Sequence, residues 1–133
     1  SLINVNDADT SKYGIADIVG EQSKGYAQVK RLVEKPGPHA APSRFAAVSG
    51  YLLTPDILPV VAQENVGHSG EIVLADSINE LAQQGKVYGK FIEGIYHDAG
   101  DKASYLRAIV DHALADKTLG KEFRDYLVAR LNK

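Results

Sequence analysis

Pro36, Pro38 and Pro42 stand within seven residues of one another and divide the first half of the chain more firmly than any other feature. Each lacks a backbone donor and biases its predecessor towards an extended conformation, so no regular element passes through this stretch. Whatever precedes Pro36 must end there, and whatever follows Pro42 must start afresh. Before it, Tyr13 to Val19 and Ala27 to Lys35 are rich in β-branched residues and alternate in part, with the polar Gly20 to Gly25 between them, which predicts a strand pair. After it, F-A-A-V-S-G-Y-L-L (Phe45 to Leu53) is apolar on both faces, as a central strand covered by helices on each side would be.

Helical signals follow. Thr54, Pro55 and Asp56 together make a helix start: a capping hydroxyl, a proline at the first helical position and an anion at the positive dipole end. Asn65 to Gly70 is a polar loop, and Ile72, Ala75, Ile78, Leu81 and Ala82 recur at helical spacing until Gly85 supplies a left-handed stop. Val87 to Ile92 reads as a strand, Glu93 and Gly94 as a turn, and Ile95 to Asp98 as a short returning strand. Two amphipathic helices close the chain, one carrying Tyr105, Leu106, Ile109 and Val110, the other Phe123, Tyr126, Leu127 and Leu131. Strands and helices mix, so the expected class is α/β, with the last two helices as an appendage on the sheet.

The composition excludes several partners. Across 133 residues the net charge is -2, and no block of Lys and Arg interleaves with aromatic residues, so no nucleic acid is expected. The longest apolar run falls far short of the roughly 20 residues that span a bilayer, which excludes a membrane partner and predicts a cytoplasmic protein. There is no Cys, hence no disulfide or thiolate metal site, and His39, His68, His97 and His112 have no zinc spacing. There is also no Met, and the chain begins with strand-like Leu2, Ile3 and Val5, so a piece of a longer protein is expected.

Two constellations could carry chemistry. Glu34 and Lys35 stand side by side at a strand end, where ideal alternation puts them on opposite faces and both are solvated. Alternatively, Pro36 fixes the backbone behind them, and a carboxylate for sugar hydroxyls then sits beside an ammonium for phosphate at the carboxyl end of a sheet. The second is H-D-A-G-D, His97 to Asp101. There Asp101 is read as the cap of the following helix, and Asp98 is left as a hard oxygen ligand of the kind that holds Mg2+ together with substrate phosphates. Gly14 and Gly50 interrupt strands, where a missing side chain admits a ligand or another backbone, although packing alone explains them as well.

Taken in order, K-Y-G-I-A-D-I-V, V-E-K-P, A-P-S, Y-L-L-T-P-D-I, G-E-I-x-L-x-D-S-I, H-D-A-G-D-K-x-x-Y-L and T-L-G-K-E-F resemble the bacterial UTP-glucose-1-phosphate uridylyltransferases, over nearly the whole chain. The resemblance is to the C-terminal half of that family. It implies a Rossmann-like fold with a mixed sheet, a sugar-phosphate-binding part over residues 1–101 and a helical appendage over 102–133 that serves as an oligomer contact. It implies UTP and glucose 1-phosphate as substrates, UDP-glucose and pyrophosphate as products, Mg2+ as cofactor, and a homo-oligomer. Carried over by position, Glu34 holds glucose hydroxyls, and Lys35, the catalytic residue, binds the sugar phosphate. Gly14 and Val48 then make main-chain contacts, and Asp98 binds metal.

The family's G-x-G-T-R nucleotide loop is missing, so this piece is expected to be inactive alone. Val73 and Ala75 replace polar residues of the family's Q-L-T-D, and V-S-G-Y stands where V-G-R-Y is usual. The same half of a thymidylyl- or cytidylyltransferase, or a non-catalytic sugar-phosphate or assembly module, are the competing readings.

Overall fold

The computed structural model describes residues 1–23, 25–48, 50–63 and 74–132, with the side chains of 21–23 excepted. Strands β2 (Gly14–Ser23) and β3 (Tyr26–Glu34) form its longest hairpin, which takes up most of the expected turn stretch Gly20 to Gly25 and turns only at its end, at Gly25, whose φ of 77° suits glycine. Their antiparallel register pairs Gly14 with Glu34, Ala16 with Leu32 and Asp17 with Arg31, then shifts so that Ile18 opposes Val29. The irregularity adds local twist, and the twist lets the sheet wrap.

Strands β1 (Leu2–Asn4), β4 (Phe45–Ala47) and β5 (Tyr88–Lys90) complete a five-stranded sheet in the order β1-β4-β2-β3-β5, all neighbours antiparallel. An isolated parallel bridge between Leu2 and Phe91 curls this antiparallel sheet, because Phe91 directly follows β5 while Leu2 lies at the opposite edge. Ile92 N–H donates to the Leu2 carbonyl at 2.9 Å, and the Phe45 and Phe91 rings meet edge to face with centroids 4.9 Å apart. Backbone groups at the outer edge of β1 are thereby partly engaged rather than open to another chain.

Leu2, Ala16 and Val29 form the buried centre of the curl, and Gly89 is required beside them because a Cβ there would overlap Leu2. Burying each of Leu2, Ile15 and Val29 contributes roughly 1.5–3 kcal/mol. A second cluster joins Ile57 and Val60 of α1 (Ile57–Val61) to Ile78 and Leu81 of α2 (Leu74–Gln83), and Leu32 and Val87 touch both clusters. Helix α2 ends as expected at Gly85, with a φ of 72°.

Three sequence expectations change. Phe45 to Leu53 yields only the three residues of β4, because Pro55 and the positive φ of Gly50 (115°) turn the chain away from the sheet. Thr54 caps nothing; the Asp56 carboxylate at the start of α1 instead takes the Lys86 ammonium at 3.1 Å. Residues 95–98 form no strand; they follow Gly94, which has a φ of 119°, and run into the turn around Asp98. The expected loop at 65–70 and the helical position expected at Ile72 lie outside the described residues.

The chain divides into two compact units, Ser1–Glu93 and Gly94–Lys133. The second is a pair of helices, α3 (Lys102–Ala115) and α4 (Gly120–Leu131). They meet where Gly120, buried, lies so near Leu114 that a Cβ would come within 2.5 Å of its carbonyl oxygen. Asp101 caps α3 as expected, accepting from the Ser104 amide at 2.7 Å.

Candidate functional site

The antiparallel register sets Ala47, Gly14 and Glu34 in one row across β4, β2 and β3. Residues directly opposite one another share a face, so the two small residues leave open floor beside the glutamate. A Cβ on Gly14 would come within 3.1 Å of Glu34 Oε2, which shows how closely that carboxylate leans over the glycine. Leu32, two residues before Glu34 and on the same face, and Tyr51 wall a cavity of about 150 Å³. Across from them stand Asp76 and Asn79 of α2.

Asn79 fixes that helix. Its Nδ2 donates to the Leu32 carbonyl at 3.0 Å, while the Leu32 amide donates to Asn79 Oδ1 at 2.6 Å. Ladder pairing of β3 with β5 covers only Tyr26 to Gln28, and the Val29 amide reaches the Val87 carbonyl. Beyond that point the Asn79 amide replaces the missing strand and satisfies both backbone groups of Leu32.

Lys35 adopts a φ of 43°, unusual for a side chain other than glycine and contrary to the extended form normal before proline. Its N–H donates to the Tyr13 carbonyl at 3.2 Å. The left-handed residue breaks ideal alternation, and Lys35 Nζ comes 3.6 Å from Glu34 Oε1 instead of pointing to the far face. Both side chains are well exposed, 60% and 66%, so the pair itself adds little stability. The two charges are presented to solvent together, accessible to an incoming ligand.

Of the residues singled out from sequence, Gly14 and Glu34 line this cavity, and Lys35 adjoins it through Glu34. Val48 is buried, and its amide is taken by the Ser1 carbonyl at 3.0 Å, so a main-chain contact from it to a ligand falls to its carbonyl. Ser49 and Val73 lie outside the described residues. Asp98 belongs to the second unit. Its Oδ1 accepts from the Gly100 amide at 2.9 Å and its own amide donates to Ser104 Oγ at 2.9 Å. His97 Nε2 stands 3.3 Å from Asp111 Oδ2. Among the described residues no three His, Asp or Glu side chains converge on a possible metal position. Asp98 fits as one hard oxygen ligand, which is compatible with Mg2+ only where substrate phosphates and further groups supply the rest.

Asn79 and the left-handed turn at Lys35 escaped sequence reasoning, and Asp76 entered it only as part of the G-E-I-x-L-x-D-S-I motif. Asn79 carried the one available signal: a polar side chain between Ile78 and Leu81, at the border of the buried face of α2.

A family model described as Nucleotidyl transferase matches residues 1–114. The chain is 31% identical over 128 residues to a UTP–glucose-1-phosphate uridylyltransferase of Streptococcus pyogenes, covering 96% of this chain and 42% of that protein. Among solved structures, a UTP-bound UGPase from Acinetobacter baumannii superposes with a TM-score of 0.82 at 31% identity, over 96% of this chain and 43% of that one. A UDP-glucose pyrophosphorylase complexed with UDP-glucose gives a TM-score of 0.73 at 29% identity, over 80% and 40% of the two chains. The chain thus spans well under half the length of the proteins it matches.

Proposed function

The chain belongs to the nucleotidyl transferase family, and on that premise we propose that it is the sugar-phosphate-binding, C-terminal half of an enzyme making UDP-glucose and pyrophosphate from UTP and glucose 1-phosphate. The observation that carries this reading is the row Ala47, Gly14, Glu34, which opens a small cavity beside a carboxylate and an adjacent ammonium. The names of the relatives supply the substrates.

In this reading Glu34 accepts hydroxyl protons of glucose, and the Gly14 backbone approaches the ring where a side chain would block it. Lys35 binds the sugar phosphate as a point charge. Neutralised there, a phosphate oxygen attacks the α-phosphorus of UTP; the bond from that phosphorus to the bridging oxygen breaks, and pyrophosphate leaves. The rate then comes from positioning and charge stabilisation rather than from covalent intermediates. The Val48 carbonyl adds a main-chain contact. Asp98 would hold Mg2+ as one of its ligands, and the ion when bound would neutralise phosphate charge.

Residues 1–101 carry the sugar-phosphate site, while 102–133 form a helical appendage that contacts a second copy in a homo-oligomer. The protein works in the cytoplasm. No described helix is long and apolar enough to cross a membrane.

Assaying UDP-glucose formation from UTP and glucose 1-phosphate tests the proposal. The full-length protein is expected to turn over and the 133-residue chain alone is not. Turnover by the chain alone, or a full-length protein that uses another sugar phosphate in preference, contradicts it.

A further inference from the structure

We propose that Asp76 is a second hydroxyl-binding carboxylate of the sugar site, facing Glu34 across the cavity; the proposal rests on the sugar-phosphate reading above. Asp76 lies three residues before Asn79, so the two share one face of α2. Asn79 pins that face to Leu32 by two hydrogen bonds, of 2.6 and 3.0 Å, and Leu32 in turn lies two residues before Glu34 on the same side of β3. The clamp therefore holds the α2 backbone that carries Asp76 beside the β3 backbone that carries Glu34. Both line the same cavity, whose floor is kept open by Gly14 and Ala47.

A first-turn aspartate is favoured by the helix dipole wherever it points. That explains the charge and leaves its position in the cavity wall unexplained. Asp76 has no hydrogen bond or ion pair among the described residues, whereas Asp17, Asp56 and Asp101 each have one. An ionised carboxylate only accepts, so it takes hydroxyl protons and repels phosphate. At about 150 Å³ the cavity is well below the roughly 300 Å³ at which pockets for drug-sized ligands begin, which matches one sugar ring and not a whole nucleotide. Asp76 and Glu34 would then divide the ring hydroxyls between them, with Lys35 left to the phosphate.

The test is calorimetric titration of the full-length protein with glucose 1-phosphate and, separately, with inorganic phosphate, comparing the parent with Asp76→Ala and Asp76→Asn. Asp76→Ala is expected to weaken glucose 1-phosphate roughly tenfold or more and to leave inorganic phosphate no weaker, since hydrogen bonds to charged groups are the stronger kind. Asp76→Asn, which keeps one acceptor oxygen, is expected to lose less. Unchanged glucose 1-phosphate affinity in Asp76→Ala overturns the assignment, as does an equal loss for both ligands. Should Asp76→Ala fail to fold, Asp76→Asn decides by the same comparison. Failure of the parent to bind glucose 1-phosphate overturns the reading beneath the assignment and the assignment with it.

Discussion

Gly14 lies directly opposite Glu34 in the antiparallel register of β2 and β3, and the glutamate Oε2 stands 3.1 Å from where a Gly14 Cβ would be. The glycine is needed there for space alone, since its φ lies outside the left-handed range. Gly14→Ala is therefore expected to fold with a stability within about 1 kcal/mol of the parent, the exposed Glu34 swinging aside at little cost. Its affinity for glucose 1-phosphate is expected to fall roughly tenfold, as the displaced carboxylate loses its hydroxyl. Denaturant titration and calorimetry read the two effects separately; a large loss of stability would show that Gly14 serves packing instead.

Lys35 separates backbone strain from charge. A left-handed residue with a Cβ costs about 1–2 kcal/mol that glycine avoids, so Lys35→Gly is expected to be more stable than Lys35→Ala by about 1 kcal/mol in urea unfolding. Both are expected to lose most of their affinity for the sugar phosphate. Equal stability of the two variants would mean that the left-handed turn at Lys35, with its φ of 43°, is not maintained in solution.

Asn79→Ala leaves the Leu32 amide and carbonyl without their partners. A loss of about 1–3 kcal/mol is expected from unpaired, partly buried backbone groups. Asn79→Asp, which can accept from the amide and cannot donate to the carbonyl, is expected to fall between. An unchanged unfolding midpoint in Asn79→Ala would remove the clamp from the account.

The turn between α3 and α4 is expected to depend on pH. Asp116 accepts from Thr118 Oγ1 at 2.6 Å, the Leu119 amide at 2.9 Å and the Thr118 amide at 2.8 Å, and these bonds hold its carboxyl below the usual carboxylate range. A lowered folded-state pKa gives a contribution that is present above the unfolded value and lost as pH falls through the folded one. The amide resonances of Thr118 and Leu119 are thus expected to stay fixed through neutral and mildly acidic pH and to move only below the ordinary carboxylate range. In Asp116→Ala that transition is expected to vanish; its survival would point to another group.

The hairpin, both closing helices and the cap at Asp101 were legible because each rests on local chemistry: alternation, apolar spacing, a side chain within reach of its own helix. Gly14 and Glu34 were legible as candidates, although their being opposite one another follows from a register that no local pattern encodes. The strand expected at 95–98 did not form, because its short alternation is a local pattern and a strand also needs a partner that no local pattern supplies. Asn79 was invisible for a related reason, and Asp76 was legible only as the aspartate of a family motif. Their roles depend on which strand α2 packs against, a tertiary fact, and Asn79 looked like an ordinary polar residue bordering the apolar face of α2. Strict alternation alone would send Lys35 to the face opposite Glu34, and its left-handed φ breaks that alternation.

The grip of Glu34 and Lys35 on a sugar phosphate is the central claim, and glucose 1-phosphate binding to the full-length protein carrying Glu34→Ala or Lys35→Ala tests it most directly. Both variants are expected to bind roughly tenfold or more weakly than the parent, with inorganic phosphate affinity lost only in Lys35→Ala. Parent-like binding of glucose 1-phosphate by both would contradict it.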